Sequence, residues 1–337
     1  MQRRLPQAAL AMIPDLPDRL FTPAQLTRLR ELADLGDGRV LTEFTSPAAR
    51  ARLAEIEVLV TGWGSPVVDE AVLAAAPRLR AVLHSAGTVK GHLSPACWER
   101  GIQVSTAAQA NAQPVAEYTL AMILLTLKGV PAAMARLRDG RSRVDLLRQF
   151  PTVGNHQRRV GLVGASRIGR LVAEALRPFD LEVLIADPYL DAEDAAALGA
   201  TPLPLEELLA TSDLVSLHAP AIAETHHMLD APRLALMRDG AVLVNTARGA
   251  LVDHAALEPE LVSGRLTAVL DVTEPEPLPA ESPLWSLDNV WLTPHVAGAQ
   301  GTELHRLADV VLAELARFGA GEPLAHPVHA SELGRIA

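Results

Sequence analysis

The sequence predicts an α/β protein with two doubly wound domains. Its 337 residues exceed the usual length of a single domain. Short apolar runs alternate with helical patterns along the chain, and many of these runs are apolar without polar alternation. Such runs are typical of parallel strands that are covered on both faces, and the strand–helix rhythm is that of doubly wound α/β folds.

Ten segments are predicted to be strands. The first is AALAMI (8–13), which is too short for an export signal or for a membrane span. The others are 57–60, 80–85, 102–105, 159–164, 182–187, 213–218, 241–246, 267–272 and 289–293.

The segment 114–129 is predicted to be a buried helix because it is apolar nearly all round. Pro114 suits the first helical turn, and Asn111 is a possible cap. Burial in the core and burial in a homodimer interface both explain this composition. The polar stretch 136–159 is predicted to be a connection, and a final helix is predicted from about Thr302 to Phe318.

Composition excludes several classes of partner. The net charge of −10 argues against a nucleic-acid partner and against an anionic membrane, since both require a basic surface. Cys97 is the single cysteine, so neither an internal disulfide nor a cysteine-rich metal site can form. No metal site is predicted, and a reducing, cytoplasmic location is expected.

The stretch VGLVGASRIGR (160–170) resembles a turn that binds a dinucleotide pyrophosphate. Gly164 and Gly169 occupy the first and third glycine positions, but Ser166 stands at the second. A strand precedes this turn, a helix follows it, and the next strand ends at Asp187, an acid suited to the adenine ribose hydroxyls. Asp187 would repel a 2′-phosphate, so NAD is favoured over NADP. The alternative is a tight turn in a fold that has lost its cofactor.

Three later strands end in polar motifs: VNTARGALVD (244–253), LDVTEPEPL (270–278) and LTPHVAG (292–298). They bring Arg248, Glu276 and His295 to one rim, because the carboxyl ends of parallel strands converge on the ligand crevice. Each residue alone has an ordinary interpretation as a surface arginine, an acidic loop or a solvated histidine. Their combination beside a dinucleotide turn favours catalysis, and Glu274 is a rival for the role of Glu276.

These motifs, together with SDLVSLHAP (212–220) and ETHHML (224–229), resemble the D-isomer-specific 2-hydroxyacid dehydrogenase family. The resemblance implies a Rossmann NAD-binding domain at 113–298, inserted in a flavodoxin-like substrate-binding (catalytic) domain formed by 1–112 plus 299–337. It implies that Arg248 holds the substrate carboxylate and carbonyl, that His295 is the acid–base and that Glu276 is paired with it. Asp271 would meet the nicotinamide amide.

The resemblance also implies the remaining site residues. The cofactor-binding set is Gly164, Ser166, Arg167, Ile168, Gly169, Asp187, His218, Ala219, Pro220, Thr225, Thr246, Ala247, Asp271, His295 and Gly298. The substrate-binding set is Ser85, Ala86, Gly87, Thr88 and Arg248.

One loop departs from the family pattern. Where the family has a glycine-rich loop followed by Asp-Asn-Ile-Asp, this chain has HSAGTVKGHLS (84–94). Lys90 in this loop is either a solvated lysine or an added charge for a larger or phosphorylated acid. The identity of the substrate acid is therefore left open.

The predicted function is NAD-dependent interconversion of a 2-keto acid and a D-2-hydroxy acid by hydride transfer, in a cytoplasmic homodimer. The alternative is a non-catalytic NAD(H)-sensing protein of the corepressor type. A formate dehydrogenase is disfavoured, because that relative pairs its histidine with glutamine where Glu276 stands here.

Overall fold

The computed structural model describes residues 4–334, which contain twelve strands and fourteen α-helices. The strands are β1 Ala8–Ala11, β2 Val40–Leu41, β3 Val58–Thr61, β4 Ala81–His84, β5 Gln103–Thr106, β6 Arg158–Val163, β7 Leu181–Ala186, β8 Thr201–Pro202, β9 Leu214–Leu217, β10 Val242–Asn245, β11 Thr267–Leu270 and β12 Val290–Leu292. The helices are α1 Leu16–Leu20, α2 Pro23–Leu32, α3 Pro47–Leu53, α4 Glu70–Ala75, α5 Ala96–Glu99, α6 Ala108–Leu127, α7 Val130–Gly140, α8 Leu146–Gln149, α9 Arg167–Leu176, α10 Ala192–Ala197, α11 Leu205–Thr211, α12 Ala231–Leu236, α13 His254–Val262 and α14 Leu304–Ala320.

The described part of the chain divides into two compact units, one formed by 4–111 with 299–334 and the other by 112–298. The sequence predicts the first boundary one residue later and the second at the same position. In the first unit, five parallel strands take the order β2-β1-β3-β4-β5, which is the flavodoxin-like order 2-1-3-4-5. Alternate residues of β1 enter different cores: Leu10 packs in the cluster that contains Leu307 of α14, and Ala9 packs in the cluster that contains Leu53.

The second unit contains seven parallel strands in the order β12-β11-β10-β9-β6-β7-β8. Six of them repeat the Rossmann order, and β12 extends the sheet. Leu243 packs in one apolar cluster, while its neighbours Val242 and Val244 pack in another. The sheet is therefore covered on both faces, which is why its strands read as continuous apolar runs. The predicted fold class is confirmed.

All ten predicted strands form, but the sequence did not reveal β2 and β8. Each has two residues, and each lies at an edge of its sheet. Two residues are too few to show a hydrophobic period, and β8 ends in Pro202, a residue usually confined to sheet edges.

The prediction for the apolar helix was wrong at its start. α6 begins at Ala108, so Pro114 lies inside the helix and Asn111 is not its cap. The Asn111 side chain instead accepts a hydrogen bond from the Ala299 amide at 2.8 Å. Burial of this helix outweighs the hydrogen bond that an internal proline removes, and Ala116, Ile123 and Leu127 belong to a core cluster of the second unit.

Two further helices lie beyond α6. The segment predicted to be a connection contains the end of α7 and all of α8. Within residues 4–334, no single helix has the length and apolar character needed to cross a bilayer. The pair α6 and α7, bent by 58° at the break between them, meets that test only when the two are counted together.

Buried His84 at the end of β4 makes stability depend on pH. Burial, followed by the nearby His92, lowers the pKa of His84 to about 3, and its Nδ1 lies 2.8 Å from Thr61 Oγ1. The unfolded chain takes up a proton near pH 6.5 whereas the folded chain does not. The contribution of His84 to the free energy of unfolding is therefore fully present above pH 6.5 and is lost as the pH falls toward 3.

Replacing His84 with glutamine should flatten the fall of unfolding free energy with decreasing pH. The wild-type group accounts for about 2 kcal/mol of the loss between pH 7 and pH 5. Urea unfolding at several pH values measures this slope. The exposed His156→Gln variant is the matched control, and an equally steep slope in His84→Gln would contradict the prediction.

Candidate functional site

The glycine turn lies between β6 and α9, where the strand order of the sheet reverses. Gly164 has a φ of +101°, and a Cβ there would lie 2.6 Å from the Ala219 amide nitrogen. A Cβ on Gly169 would lie 2.1 Å from the Gly164 carbonyl oxygen. Both positions therefore require glycine, the first for backbone conformation and the second for close packing of α9 on the turn.

Ser166 fits the turn because the backbone conformation at this position does not require glycine. Its φ is −62° and its ψ is 175°, and it is the N-cap of α9. Its hydroxyl accepts a hydrogen bond from the Gly169 amide at 3.4 Å. Arg167 and Ile168 form the first turn of α9, where amide groups have no intrahelical acceptor. Such a turn can bind a phosphate.

Asp187 follows β7 and contacts the glycine turn directly. One carboxylate oxygen accepts a hydrogen bond from the Ala165 amide at 2.7 Å, and the other accepts one from the Tyr189 amide at 2.8 Å. Each carboxylate oxygen has a second lone pair. The acid is therefore fixed beside the turn and retains acceptor capacity for a ribose hydroxyl.

The segment after β9 packs against the same turn. The His218 amide donates to the Val163 carbonyl at 2.7 Å. Burial lowers the pKa of the His218 ring to about 3, so it is neutral near pH 7. Its buried Nε2 has no hydrogen-bond partner within residues 4–334. Ala219 and Pro220 follow, and the Thr225 hydroxyl closes this loop by donating to the Pro220 carbonyl at 2.6 Å.

Arg248 follows β10 in a turn fixed by Asn245. The Asn245 side chain is fully buried; it donates to the Arg248 carbonyl at 2.9 Å and accepts from the Ala247 amide at 3.1 Å. Burial lowers the pKa of Arg248, and the charge of Glu276 opposes this shift. The neighbouring Thr246 hydroxyl lies 2.9 Å from that of Thr119 in α6.

Asp271 follows β11 and holds the loop that carries His295. The residue is 2% exposed. Its carboxylate accepts hydrogen bonds from the Thr293 hydroxyl at 2.6 Å, the Val296 amide at 2.8 Å and the Ala297 amide at 2.9 Å. The contact of Asp271 with a nicotinamide amide remains a prediction. The observed hydrogen bonds of Asp271 hold the loop at 293–297 in position.

His295 and Glu276 form a hydrogen-bonded pair. The Nδ1 atom of His295 lies 2.9 Å from Oε1 of Glu276. His295 has a φ of +54°, which is unusual for a residue with a side chain. Its amide donates to the carbonyls of Asp271 and Thr293, both at 3.0 Å, and these bonds maintain that conformation. Glu274, the rival acid, lies against His227 instead, at 3.1 Å.

The predicted substrate residues Ser85, Ala86, Gly87 and Thr88 follow β4 in the first unit. Ser85 is buried, and its hydroxyl donates to the Thr61 carbonyl at 2.9 Å. Ala86 is also buried, and the Thr88 hydroxyl accepts from the Lys90 amide at 3.2 Å. The Ser85 hydroxyl therefore donates within the loop region itself, whereas the Thr88 hydroxyl only accepts there and keeps its own proton. The Thr88 hydroxyl and backbone amides are the groups suited to an anionic ligand.

Sequence reasoning missed three residues that position the site. Asn245 shapes the Arg248 turn, as described above. The Tyr118 hydroxyl lies 2.8 Å from the Thr293 hydroxyl, which in turn donates to Asp271. Burial raises the pKa of Tyr118, with Thr293 opposing the shift. Asn245 stands at a strand end in the quoted motif, which was a usable signal; a tyrosine in an apolar helix carries none.

The residues of the second unit fit a bound dinucleotide. Amide groups at the start of α9 suit a pyrophosphate, the Asp187 carboxylate suits a ribose diol, and the buried Nε2 of His218 retains an unused hydrogen-bonding position. The fold and this site define a dinucleotide-binding α/β protein with a histidine–carboxylate pair and an arginine at successive strand ends.

Comparison with known proteins agrees with this class. Residues 120–297 match the model of the D-isomer specific 2-hydroxyacid dehydrogenase NAD-binding domain. The chain is 38% identical over 257 residues to D-3-phosphoglycerate dehydrogenase of Mycobacterium tuberculosis, covering 76% of this chain and 48% of that protein. It is 34% identical over 276 residues to glyoxylate reductase of Korarchaeum cryptofilum, covering 80% and 82%.

A solved structure, D-lactate dehydrogenase of Aquifex aeolicus complexed with NAD and lactic acid, has a TM-score of 0.73 and 27% identity, covering 94% of this chain and 96% of that one. The chain spans about half the length of the phosphoglycerate dehydrogenases it matches. The protein belongs to the D-isomer-specific 2-hydroxyacid dehydrogenase family, and the predicted resemblance and NAD-binding domain are confirmed.

Proposed function

We propose that this protein interconverts a 2-keto acid and a D-2-hydroxy acid with NAD(H). The observation that carries the proposal is the 2.9 Å hydrogen bond between Glu276 and His295. Glu276 follows β11 and His295 follows β12, while Arg248 follows β10, the strand on the other side of β11. The family supports the reaction class. The D configuration and the roles of the individual residues are part of the proposal.

His295 is proposed to move the proton. Because Nδ1 is engaged with Glu276, Nε2 is the nitrogen available to substrate. In reduction, the protonated ring gives its Nε2 proton to the carbonyl oxygen; in oxidation, neutral Nε2 takes the hydroxyl proton. Glu276 is proposed to fix the orientation of the ring through its contact with Nδ1.

Arg248 is proposed to hold the substrate carboxylate and carbonyl oxygen. A guanidinium offers paired N–H donors that match two oxygens. Its partly buried setting strengthens such contacts, because the local dielectric is lower than that of water. When bound, the nicotinamide supplies the hydride acceptor or donor, and the protein residues supply the orientation and the proton.

NAD is proposed over NADP because Asp187 is fixed at the end of β7. A 2′-phosphate there would meet a carboxylate. Fluorescence titration of the purified chain should give a dissociation constant for NADH at least about tenfold below that for NADPH. Asp187→Ser should narrow this ratio, and Asp191→Ser, an exposed acid on the same segment, should leave it unchanged. Equal affinities in the wild-type chain would overturn the assignment.

The activity is tested with a panel of 2-keto acids and NADH. The names of the relatives suggest glyoxylate and a phosphorylated 2-keto acid as the first substrates, and hydroxypyruvate is added as a third small 2-keto acid. Oxidation of NADH with at least one of them is expected, together with a D-configured product. NADH binding without turnover of any 2-keto acid would favour the non-catalytic NAD(H)-sensing alternative.

A homodimer is proposed from the surface of α7 and α8. Four large apolar side chains are well exposed there: Met134, Leu137, Leu146 and Leu147. Exposed apolar residues in one region commonly mark an association surface. Light scattering should give twice the monomer mass, and Leu147→Asp should shift the mass toward one chain. A monomeric wild-type chain would contradict this proposal. The cytoplasmic location likewise remains a proposal.

A further inference from the structure

Two adjacent histidines and a glutamate outside the His295–Glu276 pair form a cluster of metal-ligating side chains. His226 and His227 follow the 3₁₀ turn at Ala223–Thr225, and Glu274 lies after β11. One ligand atom from each of the three residues lies within 4.8 Å of the others. Nε2 of His227 is 3.1 Å from Oε2 of Glu274, and Nε2 of His226 is 4.0 Å from the same oxygen.

Backbone contacts and a ring stack hold the cluster together without a bound ion. The His227 amide donates to the Ala250 carbonyl at 2.7 Å, and His227 has a φ of +50°. The two imidazole rings stack with centroids 3.9 Å apart and an interplanar angle of 23°. Thr273, the residue before Glu274, packs closely against Gly249: a Cβ added to Gly249 would lie 2.1 Å from the Thr273 carbonyl oxygen.

This donor set suits a divalent transition-metal ion. Two imidazole nitrogens and one carboxylate oxygen are ligands that Zn²⁺ accepts, with bonds of about 2.0–2.2 Å and a fourth position left for water. Donors in such a tetrahedron lie roughly 3.3 Å apart. The separations of 3.1 and 4.0 Å from the Glu274 oxygen bracket that value, and rotation of the two rings out of their stack would turn both nitrogens toward one ion.

No metal site was predicted from the sequence, in which a single cysteine excludes a cysteine-rich site but leaves histidine–carboxylate sites open. Cys97 is buried, and burial raises the pKa of its thiol to about 11, so this thiol is a poor competitor for the metal. All three proposed ligands are partly solvent-exposed, and an ion can reach them.

We propose that His226, His227 and Glu274 bind one divalent transition-metal ion, with Zn²⁺ as the probe. The ion would fasten the segment 271–278 to the loop at 226–227. Glu276 lies on that segment two residues beyond Glu274, so occupancy of the site would restrain the carboxylate that contacts His295. The site is separate from the proposed catalytic pair and does not depend on the proposed function.

The test is calorimetric titration of ZnCl₂ into the tag-free, full-length chain after treatment with EDTA and desalting. One site per chain is expected, with a dissociation constant of about 10 µM or tighter. His227→Ala and Glu274→Gln should each weaken binding by at least about tenfold, since each removes one of three ligands. Zinc should also raise the thermal midpoint of the wild-type chain, because it binds the folded state.

Two controls make the result specific. His156→Ala removes an exposed histidine that pairs with the Asp180 carboxylate, and it should bind zinc as the wild-type chain does. His295→Ala should also retain the site. Absence of binding, unchanged binding in both His227→Ala and Glu274→Gln, or loss of binding in His295→Ala would each overturn the proposal. If His227→Ala does not fold by circular dichroism, His226→Gln replaces it. NADH binding and turnover are measured on the metal-free chain, so failure of the zinc site leaves the dehydrogenase proposal unaffected.

Discussion

Replacing Arg248 with lysine should lower kcat/KM for every 2-keto acid substrate by about 10²- to 10³-fold while leaving NADH affinity within about twofold. The guanidinium is the group proposed to hold both the carboxylate and the carbonyl oxygen. Lysine keeps the charge but loses the fork of paired donors. A partly buried lysine also gives up its proton more readily than arginine, so part of the charge would be lost as well.

The structure makes this substitution a clean test of side-chain chemistry. Asn245 shapes the Arg248 turn through main-chain atoms, and the Arg248 guanidinium donates to the Ala247 carbonyl at 2.6 Å, a bond that a lysine ammonium can also make. The backbone should therefore retain its course in the variant. Arg238→Lys is the matched control, because Arg238 lies in the same unit and pairs with Asp213 at 3.0 Å. A loss of NADH affinity as large as the loss of turnover would refute the substrate-binding role.

Removing the imidazole in His295→Ala should lower kcat by about 10²- to 10⁴-fold, the usual contribution of a general acid–base. Cofactor affinity should change little, because the loop at 293–297 is held by Asp271 and by backbone bonds rather than by the ring. A single-turnover measurement with NADH and keto acid separates the chemical step from cofactor release. An unchanged rate of that step would remove His295 from the mechanism.

Glu276→Gln tests the pairing rather than the presence of the ring. Glutamine can still meet Nδ1 but carries no charge, so the protonated ring loses its electrostatic partner. Turnover should fall, because the ring that carries the proton loses this partner. Glu281→Gln, an exposed acid on the same connection, should keep the wild-type kcat. An unchanged kcat in Glu276→Gln would refute the pairing.

Much of the site was predictable because the ends of the strands can be located from this sequence. Continuous apolar runs identify the parallel strands, and the polar residue that follows each run lies at the carboxyl edge of the sheet by geometry alone. Arg248, Asp271 and His295 were located by this reasoning, as was Asp187 beside the glycine turn. The order of motifs then indicated the family.

Ser166 illustrates how local structure explains a departure from a pattern. The sequence showed a residue that breaks the glycine pattern and left its tolerance uncertain. The backbone at this position is in the extended region, and the hydroxyl caps α9. A serine at a helix N-terminus is therefore favourable here.

The sequence by itself determined the two α/β domains, the dinucleotide turn and the rim that carries arginine, glutamate and histidine, because hydrophobic period and strand-end position are local properties. The tertiary structure decided the start of α6 and the use of Asp271 as a support for the loop at 293–297, and it placed Glu276, the acid that the resemblance favoured over Glu274, against His295. It also decided that His226 and His227 face Glu274 across nearly fifty residues of chain. These features depend on contacts between segments distant in sequence, where burial and hydrogen bonding outweigh any local preference.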